Sequence, residues 1–182
     1  LLALLAVLAP LAAPYPPLEP HPADRLKPPS AQYPLGTDDI GRDNLSRIIY
    51  GARVSLAVGA ISIGIALVLG VPLGLLAGYY GGAVDAAITR VLDGLLAFPA
   101  IVLAIALMAV FGPSLYNAML AIGIIFLPTF ARITRANVLS LREKEFVEAV
   151  HAMGAGDAYV LARAILPNCL SPIIVQASLG LG

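Results

Sequence analysis

The side chains that could support catalysis are few and widely separated. The two histidines, His21 and His151, lie in different polar segments, and no His-Glu-x-x-His pair is present. The two lysines, Lys27 and Lys144, follow Leu and Glu, so the chain lacks the Gly-x-x-x-x-Gly-Lys-Ser/Thr loop that holds nucleotide phosphates. A lone Cys169 excludes an internal disulfide or cysteine-rich metal site and is more typical of a small packed residue. We therefore predict no catalysis, no ATP hydrolysis and no cofactor.

Two clusters of charged residues need a different interpretation. The acidic stretch 37–43 lacks the ligand spacing of a calcium loop and is interrupted by an arginine, which favours a solvated, self-paired turn. Further along, Asp85–Thr89 and Arg90–Asp93 have the spacing of helical side-chain pairs. We therefore predict an interfacial helix with local pairs there, and no ionisable group deep in a span.

The segment from Arg132 to Pro167 is predicted to form two short helices outside the bilayer. Apolar residues recur at helical spacing on the first helix, at Phe146, Ala149, Val150 and Met153. Gly154 suits the end of this helix, and Asp157 could cap a second helix that ends at Leu166-Pro167. The apolar stripe could pack on the protein's own spans, or it could dock in a groove on a partner.

The composition indicates a multi-pass membrane protein. Of 182 residues, 59% are hydrophobic and 12% are charged, with a mean hydropathy of +0.90, whereas soluble domains carry about 25% charged residues. Eleven basic and eleven acidic side chains give zero net charge, which argues against a nucleic-acid partner. The charges fall into three blocks, of ten residues over 19–53, three over 85–93 and nine over 132–163.

The uncharged stretches between these blocks are the candidate spans. A helix needs roughly 20 apolar residues to cross the hydrocarbon core. Val54–Tyr80 fits one tilted span, Gly94–Ala131 fits two passes with a tip at Gly112–Ser114, and Ala164–Gly182 fits a further span that runs off the end. Residues 1–13 are apolar but short, and fit either the end of a first transmembrane helix or the core of a signal peptide. The prediction is an all-α bundle of about five spans or partial spans, incomplete at both ends.

Glycine and proline residues predict where the chain is extended, where helices pack closely and where helices bend. Residues 14–53 are rich in proline and predict an extended connector outside the bilayer. Four glycines recur every four residues, at Gly70, Gly74, Gly78 and Gly82, which favours close helix packing. Three prolines fall within the predicted spans, at Pro72, Pro99 and Pro128, where they would bend helices. Five Lys/Arg on one face against six on the other leave the sidedness undecided.

Two motifs together resemble a known family. Glu148-Ala-Val-His-Ala-Met-Gly154, followed by Pro167 in Ile-Leu-Pro-Asn, resembles the Glu-Ala-Ala loop of ABC importer permeases. The stretch Pro34–Asp43, with Ser46-Arg47 and Tyr50–Leu56, is similar to the C-type permeases of dipeptide, oligopeptide and nickel importers. Val150 replaces the third residue of the triplet, and Ala164 stands where the family often has isoleucine. Neither change affects Glu148, Gly154 or Pro167, the three residues on which the resemblance depends.

The resemblance implies a topology and a set of partners. Residues 1–13 would end a first transmembrane helix, 14–53 would be extracytoplasmic, and 54–182 would form an incomplete permease domain whose coupling loop, 132–167, is cytoplasmic. The coupling helix would enter a cleft on an ATP-binding subunit. The interface residues would be Phe146, Glu148, Ala149, Val150, Met153 and Gly154. A second permease subunit and an extracytoplasmic solute-binding protein would complete the transporter in the cell membrane.

Two other functions are compatible with a helical membrane protein. An ATP-independent secondary transporter or channel subunit would be expected to carry an ionisable group within a span, and a membrane scaffold would carry out no transport. The substrate of a permease, whether a dipeptide, a longer peptide or a nickel chelate, is not encoded in these motifs.

Overall fold

A computed structural model describes residues 8–181, and over this range the chain is mostly helical, with a largely non-helical stretch before Asn44. The helices are α1 (Ala9–Ala12), α2 (Asn44–Tyr80), α3 (Gly82–Leu96), α4 (Ala100–Phe111), α5 (Leu115–Leu141), α6 (Glu145–Ala152) and α7 (Asp157–Gly180). A short 3₁₀ turn covers Pro22–Asp24. Within the described range the only β contact is an isolated bridge between Thr37 and Asp43. The predicted all-α class is confirmed.

Three helices, α2, α5 and α7, are long and apolar enough to cross a membrane. The 37 residues of α2 correspond to about 55 Å, well beyond a hydrocarbon core of about 30 Å. This helix begins at Asn44, ahead of the predicted start at Val54. Helices α3 and α4 pass the same test only as a pair, which is bent by 92°. The described residues therefore contain three candidate spans, or four if the bent pair is one broken span.

The bent pair corrects one prediction. The tip at Gly112–Ser114 is where α4 ends and α5 begins, with the Ser114 hydroxyl accepting from the amide of Asn117. The first arm, however, is not a straight span, because α4 has only 12 residues, or about 18 Å. Pro99 lies at the break, with extended backbone immediately before α4, rather than inside a helix as predicted. Pro72 and Pro128 do lie inside α2 and α5.

The chain divides into two compact units, residues 1–58 and 59–182. In the first unit, the Pro-rich connector folds around the buried Tyr33, whose ring lies 5.3 Å from that of Tyr15. Of the transmembrane helix predicted over 1–13, only residues 8–13 are described, and they include the short helix α1. Because it packs around Tyr33, the connector has its own ordered structure.

In the second unit, α2 and α5 cross closely at the predicted glycines. A Cβ on Gly70 would lie 2.8 Å from the Leu127 carbonyl oxygen, and one on Gly78 would lie 2.7 Å from the Cβ of Val138. Gly123 of α5 is similarly close to Ile65 of α2, at 2.8 Å. Gly82 differs, because nothing lies within 4 Å of it. The packing role is confirmed for the glycines that face α5.

Helix α7 continues through the point where the sequence predicts a break. Residues Val160–Ile165 form a π-helical segment, and α-helix resumes at Leu166. Because Pro167 has no amide hydrogen, it cannot make the bond that an α-helix would require there, and the wider turn accommodates this loss. Cys169 is fully buried in α7, as expected for a packed residue.

Candidate functional site

Helix α6 is a short helix between two of the spans. It begins after Lys144, whose extended backbone separates it from α5, and ends at Ala152, with Met153 as the residue that caps it. Gly154 follows with φ of +84°, and its amide donates to the His151 carbonyl at 2.8 Å. This left-handed conformation suits glycine, which has no Cβ to clash with its own carbonyl. The predicted turn after the helix is therefore present at Gly154.

The apolar side chains of α6 do not form one continuous stripe, because some are buried and others are exposed. The side chain facing inward is Val147, which is 2% exposed, and Val150 packs beside it against the core. Phe146 and Met153 are 41% and 78% exposed, and Ala149 is exposed with them. Because residues three apart are offset by about 60° around a helix, Val150 is close enough to Val147 to join the buried side. Packing on the protein's own spans is therefore confirmed for Val150 of the predicted stripe, while docking of the exposed side chains on a partner stays a prediction.

The other predicted site residues lie on the exposed side or at its end. The carboxylate of Glu148 and the backbone of Gly154 are exposed. Together with Phe146, Ala149 and Met153, they form a surface of mixed apolar and acidic character, which we call the α6 surface. Val150 is the only one of the six predicted site residues that is partly buried.

A tyrosine that the sequence did not single out connects α6 to two spans. The Tyr79 hydroxyl, in the last turn of α2, lies 3.1 Å from Nε2 of His151 and 3.0 Å from Oδ1 of Asp157. The Tyr79 and His151 rings are stacked, with centroids 6.3 Å apart and planes 19° apart. Since the single hydroxyl hydrogen goes to the carboxylate, Nε2 of His151 must donate to the tyrosine oxygen. We call this arrangement the Tyr79 clasp.

The end of α2 is also held by an arginine. Nη1 of Arg142 donates to the carbonyl oxygens of Gly78 at 3.0 Å and Tyr79 at 3.4 Å. Carbonyls in the last turn of a helix have no intrahelical partner, and a positive charge is favourable there. Arg142 therefore stabilises the α2 terminus next to α6.

Two ion pairs connect α3 to α5. Nε and Nη2 of Arg135 each lie 2.5 Å from a different oxygen of Asp85, and Arg132 contacts Asp93 at 2.5 Å. The predicted Asp85–Thr89 hydrogen bond is present at 3.1 Å. The predicted pairing of Arg90 with Asp93 is wrong within the described range, because Asp93 bonds across to α5 instead. Two arginines three residues apart, opposite two aspartates on another segment, were the sequence feature that could have revealed this.

In the connector, the acidic stretch is self-paired, as the sequence predicts. Asp38 accepts hydrogen bonds from the backbone of Ile40 and Arg42, and its Oδ2 lies 2.6 Å from both Arg42 Nε and Arg47 Nη1. Desolvation alone would raise the pKa of this carboxyl, but the hydrogen bonds outweigh it and lower the pKa to about 2. Nearby, the hydrogen bond to Asp24 raises the pKa of Tyr33 to about 12. No group of metal-ligating side chains occurs among residues 8–181.

These features define a helical, multi-span membrane protein with a short exposed helix between spans. Residues 70–182 match the model of binding-protein-dependent transport system inner membrane components. The chain belongs to this family.

Curated relatives agree with this assignment. The chain is 51% identical over 179 residues to the dipeptide transport system permease protein of Alkalihalophilus pseudofirmus, covering 98% of the chain and 59% of the relative. It is 42% identical over 187 residues to the dipeptide permease protein of Haemophilus influenzae, covering 100% and 63%. It is 45% identical over 154 residues to the glutathione transport system permease protein of Pectobacterium atrosepticum, covering 85% and 51%. The chain thus spans about three fifths of the length of the first two relatives.

Proposed function

We propose that the chain is part of a permease subunit of an ATP-driven ABC importer, which translocates peptides or a related small solute across the cytoplasmic membrane by alternating access. The observation that carries this proposal is α6, which is attached to the core by Val147 and exposes Phe146 and Met153. The relatives named as dipeptide and glutathione permeases support the substrate class.

The proposed partners are those of the family, and they include subunits that bind ATP. ATP would be hydrolysed by separate ATP-binding subunits, since the chain has no phosphate-binding loop. A second permease subunit would complete the pathway, and an extracytoplasmic solute-binding protein would deliver the solute. In this arrangement α6 lies on the cytoplasmic side of the membrane and the connector on the other.

In the proposed mechanism, α6 is the element that receives the motion of the ATPases. Phe146 and Met153 would enter an apolar groove on the ATP-binding subunit, and Glu148 would make a polar contact at its edge. Closure of the ATPases around ATP would displace α6. Because α2 packs tightly on α5 through glycines, a displacement passed to α2 would move both spans together, as expected of close-packed helices.

A charge placed on the α6 surface tests the proposal. Met153 is 78% exposed, so Met153→Glu should leave the permease folded. Burial of a methionine side chain at an interface is worth about 1.5–3 kcal/mol, so the variant should bind the ATP-binding subunit about 10- to 150-fold more weakly. The measurement is co-purification and titration of the ATPase against the full permease in detergent.

The matched control is Leu18→Glu, since Leu18 lies in the connector and is 77% exposed. It should retain the ATPase with wild-type affinity. Equal retention by the two variants would refute docking at the α6 surface. Uptake by the permease reconstituted without any ATPase would instead establish a secondary transporter or channel.

A further inference from the structure

We propose that Tyr79 is a positioning residue that fixes α6 to α2 and α7, so that a displacement of α6 reaches these spans through the tyrosine hydroxyl. The inference rests on the proposed function for its role in coupling, but the attachment itself does not depend on an ATPase. It assigns a role to a residue outside the predicted interface.

The Tyr79 hydroxyl joins three elements at one point. Tyr79 lies 72 residues from His151 and 78 residues from Asp157 in the sequence. His151 lies near the end of α6, and Asp157 is the first residue of α7. The clasp therefore connects the end of one span, the exposed helix and the start of another span.

Apart from the clasp, the side chains of α6 that contact the core are apolar. A helix of eight residues is too short to be stable alone in water. Its fully buried side chain, Val147, makes apolar contacts, and such contacts are not directional. Hydrogen bonds prefer narrow ranges of distance and angle, so the clasp restricts the orientation of α6 in a way that apolar packing does not.

The end of α2 that carries Tyr79 is itself held by Arg142 and by close packing on α5. Arg142 donates to the carbonyl oxygen of Tyr79 at 3.4 Å and to that of Gly78 at 3.0 Å. The glycines of the same helix end place α2 against α5, with Gly78 next to Val138. The hydroxyl is thus attached to a helix end that is held by Arg142 and packed closely on α5, so a force on His151 is passed to α2.

The test compares Tyr79→Phe with Tyr80→Phe. The first variant removes the hydroxyl and keeps the stacked ring. The second removes the hydroxyl of the neighbouring tyrosine, which contacts Tyr79 ring to edge at 5.1 Å and is not part of the clasp. His151→Phe is a second variant that keeps an aromatic ring and removes the donor nitrogen.

The first readout is amide hydrogen exchange of α6 in the full-length permease alone, in lipid nanodiscs. In Tyr79→Phe and His151→Phe, exchange over 145–152 should be about fivefold faster, which corresponds to about 1 kcal/mol. Tyr80→Phe should exchange like the wild type. Unchanged exchange in both clasp variants, or equal acceleration in the control, would overturn the attachment.

The second readout is coupling in the complete transporter, with its ATPases and binding protein, in proteoliposomes. With a radiolabelled dipeptide as the probe, Tyr79→Phe should raise the ATP hydrolysed per dipeptide by about fivefold, the scale of one lost hydrogen bond, while ATPase binding is retained. An unchanged ratio together with faster exchange would overturn the role in coupling. A wild-type complex that fails to bind the ATPases would refute the proposed function, and the exchange result would still decide the attachment.

Discussion

Replacing Gly74 with alanine should push α2 away from α5. A Cβ at Gly74 would lie 2.7 Å from the Cβ of Thr134 and closer still to the carbonyl oxygen of Ala131. Ordinary contact begins at 3.4 Å, so the helices must separate by at least about 0.7 Å. The obstructing atoms belong to backbone and to a Cβ, and neither can move aside by a change of rotamer.

The magnitude follows from comparison with Gly64→Ala in the same helix, where nothing lies within 4 Å. Both substitutions gain the same helix propensity of up to about 1 kcal/mol, so the difference between them isolates the clash. Overpacking costs about 1–3 kcal/mol, and about 2–4 °C of Tm accompanies each kcal/mol for a chain of this size. We therefore expect Gly74→Ala to unfold about 2–12 °C below Gly64→Ala.

The assay is the fraction of monodisperse protein left after heating in detergent, measured by size-exclusion chromatography. Full-length permease is used for both variants, so that the lipid and detergent environment is the same. Equal midpoints for the two variants would mean that α2 and α5 do not approach closely at Gly74. A lower midpoint for Gly64→Ala would refute the reasoning altogether.

Two further predictions concern the turn after α6 and the connector. Gly154→Ala should destabilise the turn by about 1–2 kcal/mol through backbone strain alone, because φ is +84° and nothing lies within 4 Å of the added Cβ. ATP-dependent uptake should therefore fall. The control is Gly156→Ala, which should transport normally because φ there is −75° and the surroundings are equally open. Since the pKa of Asp38 is lowered to about 2 from an ordinary 3.8, its stabilising contribution should be complete above about pH 4 and lost as the pH falls towards 2. Near-UV circular dichroism of the tyrosines should follow that loss, and Asp38→Asn should weaken the same structure already at pH 7; an acid transition unchanged in this variant would contradict the assignment.

Hydropathy and breaker residues were sufficient to predict the span of α2 and the hairpin tip. The span around Val54–Tyr80 and the tip at Gly112–Ser114 both follow from local properties of the sequence, and the structure has both. The 92° break between α3 and α4 was missed, because the hydropathy of an uncharged stretch is the same whether the helix is straight or bent. Pro99 marked the position of the break without revealing its angle.

The candidate site was predictable in its location but not in its attachments. The periodic apolar residues placed α6 correctly, yet they could not show that Val147 would be buried. The Tyr79 clasp and the Arg135–Asp85 pair join residues at least 50 positions apart. Such contacts depend on how helices cross in space, which the sequence pattern of one segment does not contain.

The π-helical segment of α7 affects the position of Asp157, which accepts the hydrogen bond from Tyr79. The amide of Leu166 donates to the carbonyl of Leu161, five residues earlier, so this turn contains one residue more than an α-helical turn. Removing one residue would restore α-helical winding and rotate everything upstream by about 100°. Asp157 would then swing away from the tyrosine hydroxyl, although every side chain of the clasp was intact. The number of residues in this one turn therefore decides whether Asp157 can reach the tyrosine that holds α6.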